Sequence, residues 1–348
     1  ALNGLDTVSA IDVKTSTYTV RADLQACIDW LNGTGEGFLT ATRPAGAGAV
    51  PGNIGFTYLS GGSDGTVTNT EWANAFATLQ AVDVQQVLPA SSEPSIHAMA
   101  DTHCQFMSNQ ARKRRRCVVG AALGTTDAQA IAAAKALNSD RACLVHLGHH
   151  DFDALGNLRL FPPFVTAARV AGMAAGVNPG TPLTNKAIRA RGLERRLRNP
   201  TDTDLLIDGG VLAIEDTPTG YRVVKSCTTW RTNRNYNRVE MSTGIATDYV
   251  QTAVERALDV LRGAKGGPTV LGRAMSIAET TLRELARPEP AGIEVIVGDA
   301  ESPAYRNIRA YMDGDVVRVD FECSPVIPVN YVLITVHARP YQGAAGAA

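Results

Sequence analysis

From residue 54 to about residue 226 the chain alternates short apolar runs with segments of helical spacing. The runs fall at 54–59, 84–88, 117–120 and 142–147. The helical segments fall at 71–80, 93–108, 126–137, Pro163–Ala175 and Thr201–Asp208, with Thr70 and Thr126 placed as caps. Runs too short and too apolar to have a polar face must be covered on both sides. Separated by helices, they predict a mostly parallel sheet with helices on each face. A hairpin pairing 211–214 with 221–224 across Thr219-Gly220 closes this region.

The flanks read differently. Residues 18–20, 22–31 and 38–41 predict strand, helix and strand, with Asn32-Gly33 stopping the helix. Past Trp230, helices are expected over 249–262 and 271–285, broken by Gly263, Gly266, Gly267 and Pro268. Leu271, Met275, Ala278, Leu282 and Leu285 would form their apolar stripe. Strands are expected at 293–297, at Val316–Cys323 and at 331–336. In the second, Val317, Val319, Phe321 and Cys323 alternate with Arg318, Asp320 and Glu322. The third, Tyr331 to Val336, is β-prone on both faces and must be covered twice, its outer edge by another copy of the chain. The expected class is α/β plus α+β. The expected divisions are an amino-terminal region (1–53), an α/β core (54–228) and an α+β unit (229–348).

Composition narrows the function classes. With 45% hydrophobic and 19% charged residues the chain is a folded protein, and its net charge of −1 gives no field for nucleic acid or an anionic membrane. No apolar run approaches the roughly 20 residues of a membrane span, and the start has no basic and apolar signal-peptide pattern. Six scattered cysteines without a CxxC pair predict free buried thiols in a reducing compartment.

Three segments invite a chemical reading. His146, His149, His150, Asp151 and Asp153 follow a parallel strand, where α/β sheets bind ligands, and suggest a metal-dependent hydrolase. No second ligand-rich segment accompanies them, so an exposed polar loop is expected instead. Arg112-Lys113-Arg114-Arg115-Arg116 lacks the interleaved aromatics of a nucleic-acid surface, and an intersubunit or solvated face is expected. The glycine turn at 61–65 could seat a small ligand but lacks the lysine of a phosphate loop. Neither a catalytic nor a cofactor-binding residue is expected, and assembly comes before chemistry.

A set of segments resembles the sheath proteins of contractile phage tails and related injection machines. They are Gly61-Gly62-Ser63-Asp64-Gly65-Thr66 with Trp72, Leu123-Gly124-Thr125-Thr126 through Arg141, and Pro162-Pro163-Phe164 with Ala171-Gly172. Further on come Pro179-Gly180-Thr181-Pro182-Leu183-Thr184-Asn185-Lys186, Gly192-Leu193-Glu194 and Gly210-Val211-Leu212-Ala213-Ile214-Glu215. Val317-Arg318-Val319-Asp320-Phe321 with Pro328-Val329-Asn330-Tyr331 closes the series. The His-rich loop departs from that pattern, and the amino-terminal region is short for it.

The resemblance implies a mechanical subunit. Copies would stack as hexameric rings or a helical sheath around an inner tail tube protein, between a baseplate and a tail terminator. On triggering they would shorten and drive the tube through the target envelope. The place would be the virion tail, assembled in the host bacterial cytoplasm, without membrane or nucleic-acid contact. The resemblance also puts the carboxyl-terminal unit against the tube and the α/β part outward. Strands shared between copies are expected at Tyr18, Thr19 and Val20 and at Tyr331, Val332, Leu333, Ile334, Thr335 and Val336. Arg256, Arg262 and Lys265 are expected to approach the tube.

Overall fold

The structure, a computed structural model, describes residues 66–332 and 334–338, with Ile28, Asp29, Asn32, Gly33 and Thr42 from the earlier part. The strands expected at 18–20, 38–41 and 54–59, the glycine turn at 61–65 and the tail at 339–348 lie outside the described residues. So does most of the helix expected over 22–31, of which Ile28 and Asp29 are helical. The elements that follow belong to one compact unit, residues 68–348; residues 1–67 form another.

The order begins α1 (Asn69–Leu79), β1 (Gln86–Val87), α2 (Pro94–Asn109), β2 (Arg116–Gly120), α3 (Asp127–Leu137) and β3 (Ala142–Val145). A small hairpin β4 (His149–Phe152), β5 (Leu158–Phe161) precedes α4 (Pro163–Ala175), β6 (Ala187–Ile188), β7 (Gly192–Leu193), α5 (Thr201–Asp208) and β8 (Val211–Leu212). Then come β9 (Ile214–Thr217), β10 (Gly220–Val223), α6 (Tyr236–Val239), α7 (Met241–Leu258), α8 (Pro268–Leu285), β11 (Tyr305–Asp313) and β12 (Val316–Cys323).

The helix starts follow local chemistry. Thr126 and Gln129 form a reciprocal capping box at α3, as its threonine suggests. At α1 the cap is Thr68, with Glu71, and not Thr70. Proline opens α2, α4 and α8, where its missing N–H costs nothing.

The expected parallel sheet is present. β1, β2, β3 and β8 run in that order, all parallel, with Cys117 beside Ala142 and Val145 beside Leu212. Alternation sorts its side chains into two cores. Cys117, Val119, Ala142, Leu144 and Val211 pack with Ile96, Ala100, Ala130, Ala134 and Leu206 of the helices on one face. Val118, Cys143, Val145 and Leu212 pack with Ala167, Val170 and Met241 on the other. Burying each such Val or Leu contributes about 1.5–3 kcal/mol, so this slab anchors the unit. Cys104, Cys117, Cys143 and Cys227 are buried free thiols and Cys323 is half-buried; Cys27 lies outside the described residues.

The expected 211–214 hairpin splits. Val211–Leu212 joins the parallel sheet, and only Ile214–Thr217 turns back on Gly220–Val223. Two short stretches on opposite sides of Ala213 therefore serve different sheets.

The carboxyl-terminal unit packs α7 and α8 with the antiparallel pair β11–β12 around Ala246, Val250, Val254, Ala278, Leu282, Leu285, Val295 and Ile296. The buried stripe of α8 holds the expected Ala278, Leu282 and Leu285, with Ala274 in place of Met275, which is 38% exposed. Helix α7 starts eight residues before the expected 249. β12 alternates as predicted, half-buried at 317, 319, 321 and 323. Residues 293–297 form no strand, holding only an isolated bridge from Ile296 to Pro325, and the partner strand β11 was not expected. Residues 331–338 carry no strand where described.

Candidate assembly interface

Only the start of the Arg112–Arg116 run is solvated: Arg112 is exposed, whereas Arg114, Arg115 and Arg116 are engaged by the body. Arg115 is fully buried and Arg116 nearly so. Arg116 donates to Asp248 at 2.8 Å and to the Asp140 carbonyl at 2.6 Å, and Arg141 reaches the same Asp248 at 2.6 Å. Arg114 donates to Glu255 at 2.7 Å and to Gln251 at 2.9 Å. Asp248, Gln251 and Glu255 share one face of α7, so the run staples the parallel sheet to the carboxyl-terminal helices. Burial lowers the Arg116 pKa, and the Asp248 charge opposes that shift. Arg115 is held by the carbonyls of Leu79 and Val82 and by His103.

The histidine segment is not an exposed loop either. His146 donates or accepts at 2.7 Å with Asp127, the first residue of α3, and His149, in β4, at 2.8 Å with Thr166 of α4. Both rings are buried. Burial brings the His149 pKa down to about 4, helped by the nearby Arg169 charge, and lowers that of His146. Asp151 is engaged by Arg169 at 2.5 Å and Asp153 by Arg159 at 2.7 Å. These groups serve as struts between elements, and among the described residues no three His, Cys, Asp or Glu side chains converge to hold a metal ion. The hydrolase alternative therefore has no geometry behind it.

What the body leaves unfinished is its end. Val329, Tyr331, Val332, Ile334 and Val336 are 61–82% exposed, and the described residues of 331–338 make no hydrogen bond to the body among the described residues. The root of this arm, by contrast, is fastened. The Val326 N–H donates to Val295 at 3.0 Å, and its carbonyl accepts from the Thr243 hydroxyl at 3.2 Å. Gly180, at φ +91°, lies against the Val326 side chain, where a Cβ would collide. Asn330 bonds Thr184 at 2.6 Å and Glu240 at 2.9 Å. Near it, β11 and β12 form a two-stranded sheet, crossed by Arg306–Glu322 at 2.6 Å.

Of the residues expected near a tube, Arg256 lies 3.5 Å from Asp83 and Arg262 2.7 Å from Asp259; all four are more than half exposed. Both arginines line an open groove of about 1600 Å³ with Arg112, Lys113, Asp83 and Val316. Lys265 has no ion-pair partner among the described residues. Asp248, Glu240 and Lys225 escaped the sequence reading, which met Asn330 only as part of a family-like segment. Each is an isolated polar residue whose partner lies far along the chain.

Comparison with known proteins follows this architecture. Residues 65–229 match the family described as phage tail sheath protein central domain. The tail sheath protein of Bacillus phage SP01 is 32% identical over 346 residues, 97% of this chain and 57% of that one. The putative tail sheath protein of Enterococcus phage phiEF24C is 25% identical, over 95% of this chain and 56% of its own length. The chain thus spans a little over half the length of these phage proteins.

Among solved structures, the sheath tail protein of Desulfitobacterium hafniense has a TM-score of 0.63 at 16% identity, covering 82% of this chain and 63% of that one. The helical sheath of the anti-feeding prophage in its contracted state gives 0.60 at 12% identity, covering 79% and 76%. At such identities these two establish the shared fold. Residues 65–229 are thus similar to the central domain of phage tail sheath proteins, and similarity to tail sheath proteins extends over nearly the whole chain.

Proposed function

We propose that this chain is a structural subunit of a contractile tail sheath, not an enzyme. It polymerises around an inner tube and shortens to drive that tube through a target envelope. The observation that carries this reading is the arm: a β-prone, apolar segment, exposed where described and without a hydrogen bond to the body, that leaves from a root fastened at Val326 and Asn330. A lone soluble body gains nothing from such an arm, whereas a copy that lends it to a neighbour's sheet makes ladder hydrogen bonds indifferent to side-chain identity. Links of this kind hold while bodies rotate, so two packings of one subunit can differ in free energy without any bond being cleaved.

In this reading Tyr331, Val332, Leu333, Ile334, Thr335 and Val336, with Tyr18, Thr19 and Val20, enter a sheet shared between copies. Arg256, Arg262 and Lys265 face the tube, and the sheath meets a baseplate and a terminator at its ends. The three-part division at 53/54 and 228/229 separates the amino-terminal region, the outward α/β core and the tube-facing unit. The sheath is part of the virion tail and is built in the host cytoplasm. Electron microscopy of the purified chain, alone and with a cognate tube, tests this: rings or tubes are expected, and a persistently monomeric particle would refute it.

A further inference from the structure

Glu240 is a fully buried carboxylate at the amino-terminal boundary of α7, yet it caps no backbone N–H of that helix. Its Oε1 instead accepts from Lys225 Nζ at 2.9 Å and from Asn330 Nδ2 at 2.9 Å. Its Oε2 has no partner among the described residues. Asn330 is gripped from its other side as well, the Thr184 hydroxyl donating to its Oδ1 at 2.6 Å. Four residues from four separate parts of the chain therefore meet where the arm leaves the body. Beyond Asn330 the described residues make no hydrogen bond to it.

A buried ion pair is a poor source of stability, because desolvating both charges offsets much of their attraction. Here burial raises the Glu240 pKa against the opposing Lys225 charge. What such a cluster supplies is direction. An amide held by a donor on one side and an acceptor on the other has one orientation, and a hydrogen bond to an ionised acceptor is among the stronger ones. We infer that Glu240, charged and oriented by Lys225, is a positioning residue for the arm. With Thr184 it pins Asn330, so that the arm turns about the 330–331 peptide and presents its strand from a fixed point.

Val326 supplies the second fastening, four residues earlier, and two fastenings fix a direction where one would allow a swivel. The inference rests on the arm being the link between copies. It adds that the link's aim is set by a polar clamp rather than by the arm's own sequence.

The test compares the native chain with Asn330→Ala, Asn330→Asp and the exchanged pair Glu240→Gln with Asn330→Asp. Two quantities are read: hydrogen exchange of residues 326–330 in the monomer, and the protein concentration at which polymers appear. Losing a hydrogen bond to a charged group should speed exchange at the root and raise the polymer threshold, each by roughly ten-fold or more. The body's melting transition should move little. In Asn330→Asp the new carboxylate faces Glu240, giving the larger effect. The exchanged pair again offers one amide and one carboxylate, with Lys225 available to the acid, and should recover most of both readouts.

Unchanged exchange and an unchanged threshold in Asn330→Ala would overturn the inference. So would faster exchange with a native threshold, because the clamp would then hold the root without aiming the arm. If the native chain forms no polymer while Asn330→Ala still loosens the root, the clamp stands and the sheath reading falls.

Discussion

Arg116 reaches across the joint between the parallel sheet and the carboxyl-terminal helices to Asp248, its Nε 2.8 Å from the carboxylate. The guanidinium fills space left by Gly244, where a Cβ would collide with it. Asp248→Ala removes the carboxylate that both Arg116 and Arg141 bond directly. Breaking one side of a buried pair typically costs about 3–5 kcal/mol, and a loss at the lower end of that range is expected in chemical denaturation because Arg141 keeps some access to water. Gly244→Ala should also destabilise, by displacing Arg116 rather than by any helix effect, since alanine is the better helix former.

The two buried histidines make the body acid-sensitive. His149 binds its proton only near pH 4 when folded but near 6.5 when unfolded. The unfolded state therefore holds more protons between those values. The sign follows: full stability above pH about 6.5, and progressive loss as pH falls towards 4, of at most about 3 kcal/mol from this residue. Melting curves across that range should show the loss. Replacing His149 by Gln should flatten it, although the substitution also lowers stability at neutral pH through Thr166.

Ending the chain after Asn330 should leave the body intact. Among the described residues, those beyond it are exposed and make no hydrogen bond to the body. An unchanged melting midpoint together with abolished polymer formation is expected. A truncated chain that still polymerises normally would show that copies are linked elsewhere.

Reversing Arg256, Arg262 and Lys265 together to Glu should weaken association with an inner tube, measured by co-sedimentation, while self-association persists. The pairs that would be broken, Arg256 with Asp83 and Arg262 with Asp259, are exposed. They therefore contribute little to stability, typically under about 1 kcal/mol, and the body should stay folded. Equal tube binding by the reversed chain would leave these residues as solvated partners of their carboxylates.

Fully buried strands and the proline-opened helices α2 and α4 were legible because their signals are local, whereas Pro268, expected to break the chain ahead of 271, opens α8. Pro163–Ala175 and Thr201–Asp208 follow from their own residues, and the layered α/β order follows from the alternation. Partners distant in sequence were not legible. Arg114 and Glu255 are 141 positions apart, so a run that composition marks as solvated becomes the inside of a joint. β11 was missed because Arg306, Asn307 and Arg309 interrupt its alternation at the register shift between 306 and 309. The histidine cluster was misplaced for a related reason. Imidazoles read as exposed or metal-binding until the hydroxyl of Thr166 and the carboxylate of Asp127 are seen against them.

The arm comes after every fully buried core residue in the order of synthesis, the last of those described being Ile296. A ribosome therefore delivers the sticky segment only when the body already has all the side chains it needs to fold. Closure of the core and joining through the arm become successive events on the nascent chain.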